Sequence, residues 1–154
     1  MDWVKRILGI TVALFCILLV AGVGQFCLEI DLKWYSALIK PSFMPSAFGF
    51  TVLVSLVYAC CVAVISGLVV HKRFFPSFVL LAGTGVLAVI FLFAVFRLKS
   101  LYGGAAVMLA LFLLSFAVEA RFAAEERSVA LAYLPVLVFN GFCLVLSFTL
   151  ALSN

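Results

Sequence analysis

The stretch that decides the fold is residues 48–70, FGFTVLVSLVYACCVAVISGLVV, in which no side chain is charged. A helix of about 20 apolar residues crosses the hydrocarbon core of a bilayer, so this stretch predicts a membrane-spanning helix. The whole chain of 154 residues is 68% hydrophobic and 10% charged, whereas soluble domains contain about 45–50% and about 25% of these classes. A soluble fold of this size has too little interior to bury so much apolar surface. The sequence therefore predicts an all-α integral membrane protein.

Charged or proline-containing connectors divide the chain, which we interpret as a single domain over 1–154, into five apolar runs. The predicted bundle of five transmembrane helices has spans at 7–28, 48–70, 77–96, 101–118 and 129–152. The first run is longer than the roughly 7–15 apolar residues of a signal peptide. The runs are continuous rather than alternating, which favours helices over outer-membrane strands. A bundle of four spans would require the third or fourth run to be re-entrant.

Basic residues occur singly or in pairs at the ends of these runs, where headgroups and snorkelling favour them. No basic face forms, so the net charge of +4 indicates membrane flanks and not a nucleic-acid partner. With five spans, one side of the membrane collects Lys5, Arg6, Lys72, Arg73, Arg121 and Arg127, and the other collects Lys33, Lys40, Arg97 and Lys99. This asymmetry predicts a cytoplasmic N-terminus.

No acidic or basic side chain lies in the middle of a predicted span, where proton relays and ion pathways place their charges. The sequence therefore disfavours a proton-coupled or ion-coupled carrier. It contains no intramembrane Ser/His/Asp set, HExxH helix or phosphate loop, so we expect neither an enzyme nor a required cofactor. The five cysteines form no CxxC pair, which favours small hydrophobic side chains over a metal site. An apolar ligand pocket needs none of these groups.

Small and polar residues mark faces of two spans. Asn140 and Ser147 share a face of the fifth span, and a polar amide in lipid is expected to bind either another helix or a ligand.

Small residues four apart form a stripe on the second span where another helix can approach closely. That helix belongs either to the same bundle or to a second copy of the chain in a homodimer. The stripe consists of Ser55, Ala59, Ala63 and Gly67.

The long polar break at residues 29–47 carries charges beside the aromatic pair Trp34-Tyr35 and the prolines Pro41 and Pro45. Aromatic residues beside charges are typical of the membrane–water interface. The prolines prevent one continuous helix and stiffen the segment. Loops longer than about 12–15 residues are usually functional or disordered, and these anchors favour a functional loop.

The segment WYSALIKPSFMP, from Trp34 to Pro45, resembles the first-loop signature W-Y-x-x-L-x-K-P-x-x-x-P of the translocator protein family. This family is also called the tryptophan-rich sensory proteins, or TspO/MBR. Tyr58 resembles the tyrosine of the family's W-x-x-L-Y segment, and PVLVF at residues 135–139 resembles its P-Y-x-x-W. Members consist of five membrane helices, so the resemblance extends over the length of the chain.

The resemblance implies an apolar pocket within the bundle, closed by the first loop. In the family this pocket binds porphyrins such as haem and, in animals, cholesterol. A membrane receptor or sensor for a planar apolar ligand is therefore expected, in a bacterial membrane or the mitochondrial outer membrane. The alternatives are a structural or assembly protein without a small ligand, or a porphyrin-degrading enzyme. With the polar Asn140 added, the expected ligand-binding residues are Trp34, Tyr35, Pro41, Pro45, Val54, Tyr58, Phe139, Asn140 and Cys143.

The chain also departs from the family pattern. Val54 and Phe139 stand where the family usually has tryptophans, and the chain contains only Trp3 and Trp34. Some members promote light-dependent breakdown of porphyrin, which is attributed to the pocket tryptophans. Valine and phenylalanine are poor electron donors, so we expect this porphyrin-degrading activity to be absent here.

Overall fold

The computed structural model describes residues 2–70 and 74–154, without the side chains of 2, 5, 6, 13, 16, 24–32, 70 and 74–76. This part of the chain is helical and contains no strand. The predicted flanking pair Lys72-Arg73 lies outside the described residues. The helices are α1 (Asp2–Ala37), α2 (Ala47–Val70), α3 (Phe74–Leu92), α4 (Leu101–Glu125) and α5 (Arg127–Ser153), and a π-helical turn (Phe93–Arg97) continues α3.

Four stretches in the described part of the chain are long and apolar enough to cross a membrane. They are Ala47–Val69, Ser77–Arg97, Leu101–Glu125 and Arg127–Ser153. Helix α1 contains a shorter apolar stretch, Ile7–Val23. A helix satisfies its backbone hydrogen bonds internally, as the bilayer interior requires. The all-helical class is confirmed, whereas the fifth crossing, by α1, stays a prediction.

Helix α1 is longer than predicted. The sequence predicts a loop over 29–47, but α1 continues to Ala37, so that boundary is wrong. Residues 29–37 contain no proline or glycine, and the chain leaves the helix only as it approaches Pro41, which disfavours helical geometry in the residue before it. The non-helical part is residues 38–46, called here the 38–46 segment, where the Met44 amide donates to the Pro41 carbonyl at 3.1 Å.

The predicted charged connector at 119–128 is also mostly helical, since α4 runs to Glu125 and α5 starts at Arg127. Charged residues do not break a helix when they pair along it. The Arg121 Nε donates to the Glu125 Oε1 at 3.0 Å, four residues apart. Glu119 therefore lies on α4, within a stretch long enough to span the membrane, and not in a loop.

Two serines determine where α2 and α4 begin. The Ser46 Oγ accepts a hydrogen bond from the Gly49 amide at 3.1 Å, and the Ser100 Oγ accepts one from the Gly103 amide at 3.1 Å. A serine at this position satisfies an amide that has no partner within the helix. Both helix starts lie at the same end of the molecule as the 38–46 segment.

The helices form a ring in the order α1, α2, α5, α4, α3, closed by contacts of α3 and the π-helical turn with α1. One end of the ring is filled by apolar side chains that are almost excluded from solvent, among them Val64, Val118 and Tyr133. There the rings of Phe122 and Tyr133 meet edge to face, with their centroids 5.5 Å apart. This packed end fixes the helices and leaves the opposite end to form a site.

Candidate functional site

A cavity of about 590 Å³ lies at the opposite end of the ring, where α1, α3 and α5 end and α2 and α4 begin. Its volume falls within the roughly 300–1,000 Å³ of small-molecule sites. All five helices or their extensions contribute to its wall, together with the 38–46 segment. The lining residues are Tyr35, Lys40, Pro41, Met44, Pro45, Ser46, Ala47, Phe50, Thr51, Phe91, Leu92, Val95, Phe96, Leu101, Cys143, Leu146, Ser147 and Leu150.

Tyr35 connects the 38–46 segment with the π-helical turn. Its ring lies 5.3 Å from the ring of Phe96, measured between centroids, and its hydroxyl donates to the Met44 Sδ at 3.8 Å. The Lys40 Nζ lies over the same ring, 4.9 Å from the centroid. Burial raises the pKa of Tyr35 above its ordinary value, and the neighbouring Cys143 adds to this rise. The Tyr35 hydroxyl therefore remains protonated at neutral pH and can donate a hydrogen bond.

The amide side chain of Asn154 fixes the 38–46 segment to the end of α5. Its Oδ1 accepts from the Ile39 amide at 2.9 Å, and its Nδ2 donates to the Ile39 carbonyl at 3.1 Å. The Nδ2 also donates to the Leu150 carbonyl at 3.0 Å. Both backbone groups of Ile39 are thereby held, so the segment is closed over the cavity by a contact between distant parts of the sequence.

The π-helical turn forms a further part of the wall. Its residues Val95 and Phe96 are buried and pack against Trp34 and Tyr35. Val95 also approaches α4 at Gly104, where an added Cβ would clash with the valine side chain. Such turns insert an extra residue into a helix and are frequent at functional sites. Here the turn brings two apolar side chains to the cavity at the end of α3.

The cavity ends at a layer of aromatic and apolar side chains. The rings of Phe50 and Phe139 lie 5.9 Å apart between centroids, and both pack with Met108, Leu111 and Cys143. Phe50 and Cys143 line the cavity, whereas Phe139 is behind them. This layer forms the floor of the cavity.

The structure brings four of the expected ligand-binding residues to the wall and leaves five away from it. Tyr35, Pro41, Pro45 and Cys143 line the cavity. Trp34 packs behind it against Val95 and Phe96. The remaining four do not line the cavity and lie nearer the packed end than the lining residues on their own helices: Val54, Tyr58, Phe139 and Asn140.

Asn140 has a helix partner. Its Nδ2 donates to the Ser115 Oγ at 2.8 Å, and both side chains are buried between α4 and α5. Of the two roles that the sequence leaves open, the structure therefore shows the helix–helix hydrogen bond. Ser147, on the same face of α5, lines the cavity, and its hydroxyl donates to the Cys143 carbonyl at 2.7 Å.

Most of the residues that line the cavity are absent from the set predicted from the sequence. Lys40 and Met44 lie within the Trp34–Pro45 motif, which could have indicated them. The wall residues of α3 and the π-helical turn, among them Phe91 and Val95, carry no such signal, because that helix is apolar on every side. Val95 lies in the π-helical turn, whereas Phe91 lies on α3 just before it.

The family described as the TspO/MBR family matches residues 11–152 of the chain. The matched region contains every residue that lines the cavity. None of the curated proteins compared with the chain matches it.

Proposed function

Because the chain belongs to the TspO/MBR family and is a multi-pass integral membrane protein, we propose that it is a membrane receptor or sensor for a planar apolar ligand. Candidate ligands are a porphyrin, haem or a sterol, bound beneath the 38–46 segment and thereby transported or sensed. In this proposal α1 forms the fifth membrane crossing. The observation that supports it best is the cavity at the hollow end of the ring.

The chemistry of the wall suits such a ligand. Aromatic rings of Phe50, Phe91 and Phe96 offer flat apolar surfaces, while Tyr35 and Ser147 offer a few polar groups. Ligand sites in proteins commonly combine a mostly apolar wall with a few polar groups that fix orientation. Ring stacking and dispersion would hold the planar body, and no covalent or metal bond from the protein is needed.

Protoporphyrin titration of the detergent-solubilised protein tests the proposal. Trp34 packs against Val95 and Phe96, which line the cavity, and the chain's other tryptophan is Trp3. A Trp3→Phe variant therefore leaves Trp34 as the reporter. We expect saturable quenching of its emission together with a shifted Soret band. An unchanged Soret band and unquenched Trp34 would show that the cavity does not accept a porphyrin.

We propose binding without degradation of the ligand. Neither tryptophan of the chain lines the described cavity, since Trp34 lies behind the wall and the aromatic rings of the wall belong to phenylalanines and Tyr35. Bound protoporphyrin should therefore bleach under illumination no faster than free protoporphyrin in the same detergent. Faster bleaching in the complex would identify the protein as an enzyme for this reaction.

A second candidate function, assembly with a further copy of the chain, rests on the small-residue stripe of α2. Ser55, Ala59 and Ala63 are exposed, so the described bundle does not use them for internal packing. Gly67 differs, because a Cβ there would lie 2.9 Å from the Val129 Cγ2 of α5. The exposed part of the stripe offers close approach to another helix, and we propose a homodimer through it.

A further inference from the structure

The mouth of the cavity differs from its wall in charge. Among the described lining residues, Lys40 is the only charged one, and the others are apolar or neutral polar. No carboxylate in this part of the chain lines the cavity to neutralise the ammonium. The side chain of Lys40 is exposed and lines the cavity, so its ammonium group lies at the opening.

The position of Lys40 is fixed from both directions along the chain. Asn154 holds the amide and the carbonyl of Ile39, the residue before it, at 2.9 and 3.1 Å. Pro41 follows it and restricts the backbone of Lys40 to extended geometry. The ammonium then rests over the Tyr35 ring at 4.9 Å, a contact that localises a cation without cancelling its charge.

We propose that Lys40 makes this cavity selective for amphiphiles that combine an apolar body with an anionic group, such as a carboxylate or a sulfate. The inference rests on the proposed function and adds the class of ligand. The body lies against the phenyl rings of the wall, and the anion lies at the mouth beside the Lys40 ammonium. Charge attraction at the edge of an apolar cavity is screened less than on an open surface.

The Tyr35 hydroxyl supplies a second interaction for the same anion. It donates at present to the Met44 sulfur, at 3.8 Å, and a thioether is a weak acceptor. A carboxylate or sulfate oxygen is a much stronger acceptor, so the hydroxyl would gain by exchanging partners. Lys40 and Tyr35 are in contact through the ring, which places both donors at one end of the cavity.

Matched ligand pairs test this selectivity. Protoporphyrin is compared with its neutral dimethyl ester, and cholesteryl sulfate with cholesterol, each titrated into the full chain in a neutral detergent. Lys40→Gln removes the charge, Lys40→Arg keeps it, and Lys33→Gln removes an exposed charge outside the cavity. The two pairs also distinguish a porphyrin carboxylate from a sterol sulfate as the source of the anion.

We expect Lys40→Gln to weaken binding of the anionic member of a pair about threefold to tenfold. Binding of the neutral member should change by less than about twofold, because it needs no cation. Lys40→Arg and Lys33→Gln should leave both affinities near wild type. Raising the ionic strength should weaken only the anionic ligand, and this dependence should disappear in Lys40→Gln.

Equal losses for the charged and neutral members in Lys40→Gln would overturn the inference, since they would show that the residue only shapes the 38–46 segment. Equal affinities of both members for the wild-type protein would overturn it as well, while leaving the proposed function intact. If neither member of either pair binds, the proposed function itself fails. The three outcomes are therefore distinguishable in one set of titrations.

Discussion

Gly104 shows how a single hydrogen in place of a side chain shapes the cavity wall. The Val95 side chain occupies the space where a Cβ on residue 104 would be, and Val95 lines the cavity. In Gly104→Ala the β-branched valine has few rotamers into which it can retreat. We expect a loss of stability of about 1–3 kcal/mol, the usual cost of overpacking. Unfolding of the purified protein in detergent measures it.

Two controls accompany the Gly104 substitution. Gly22→Ala adds the same methyl group where nothing lies within 4 Å, so it should not destabilise the protein. Adding Val95→Ala should recover part of the loss, because the two residues interact directly. Strictly additive effects in the double variant would contradict the close contact between Val95 and Gly104.

At the residue scale, the spaced motif predicts several lining residues but is not a complete guide, since Trp34 packs behind the wall and Cys143, outside the motif, lines the cavity. Tyr35, Pro41 and Pro45 belong to such a motif and line the cavity. Val54 and Phe139 are expected from their positions alone, and neither lines the cavity. Position along a helix gives the face of a residue, but the volume of its neighbours decides how deep a cavity reaches.

The 38–46 segment lines the cavity and is attached to the end of α5 through Asn154. We expect Asn154→Ala to release it, because the substitution removes both hydrogen bonds to Ile39. Each hydrogen bond contributes about 0.5–1.5 kcal/mol, so dissociation of protoporphyrin should accelerate about tenfold. Stopped-flow displacement of the bound porphyrin measures this rate.

Ser153→Ala provides the matched control for Asn154, since Ser153 is exposed on the last turn of α5 and does not line the cavity. Its dissociation rate should equal that of the wild type. The same rate in Asn154→Ala would mean that the segment is held by its prolines and by Tyr35 alone.

At the element scale, the apolar runs predict the membrane helices but not where they end. Hydropathy marks the change of solvent, whereas a helix can continue through polar residues until the backbone geometry changes, as it does for α1 near Pro41. Residues 29–37 are polar yet remain helical up to the approach to Pro41, and Glu119 and Arg121 remain in α4. The starts of α2 and α4, by contrast, agree with the predicted starts at 48 and 101 within one residue, and Ser46 and Ser100 cap them.

The whole molecule divides into a packed end and a hollow end that contains the cavity. Assembly of two copies through α2 would use the outer surface of the bundle. Because Ala63 is exposed, Ala63→Leu fits the isolated bundle but blocks close approach of a second helix. We expect the variant to shift a dimer to monomer, measured as mass in detergent by light scattering.

Ala110→Leu on α4 enlarges another exposed alanine and serves as the control for Ala63. It should leave the mass unchanged. A wild-type protein that is monomeric, or a dimer that persists in Ala63→Leu, would contradict assembly through the stripe and leave α2 facing lipid.

The claim that the ligand lies in the cavity is tested most directly by filling that cavity. Ala47 is exposed and lines it, so Ala47→Phe occupies the space without disturbing the packed end. Ala106→Phe, an exposed site outside the cavity, is the control. The measurement is the Kd of protoporphyrin for the three proteins. We predict at least about tenfold weaker binding in Ala47→Phe alone, which corresponds to about 1.4 kcal/mol. Equal Kd values in all three would contradict binding in this cavity.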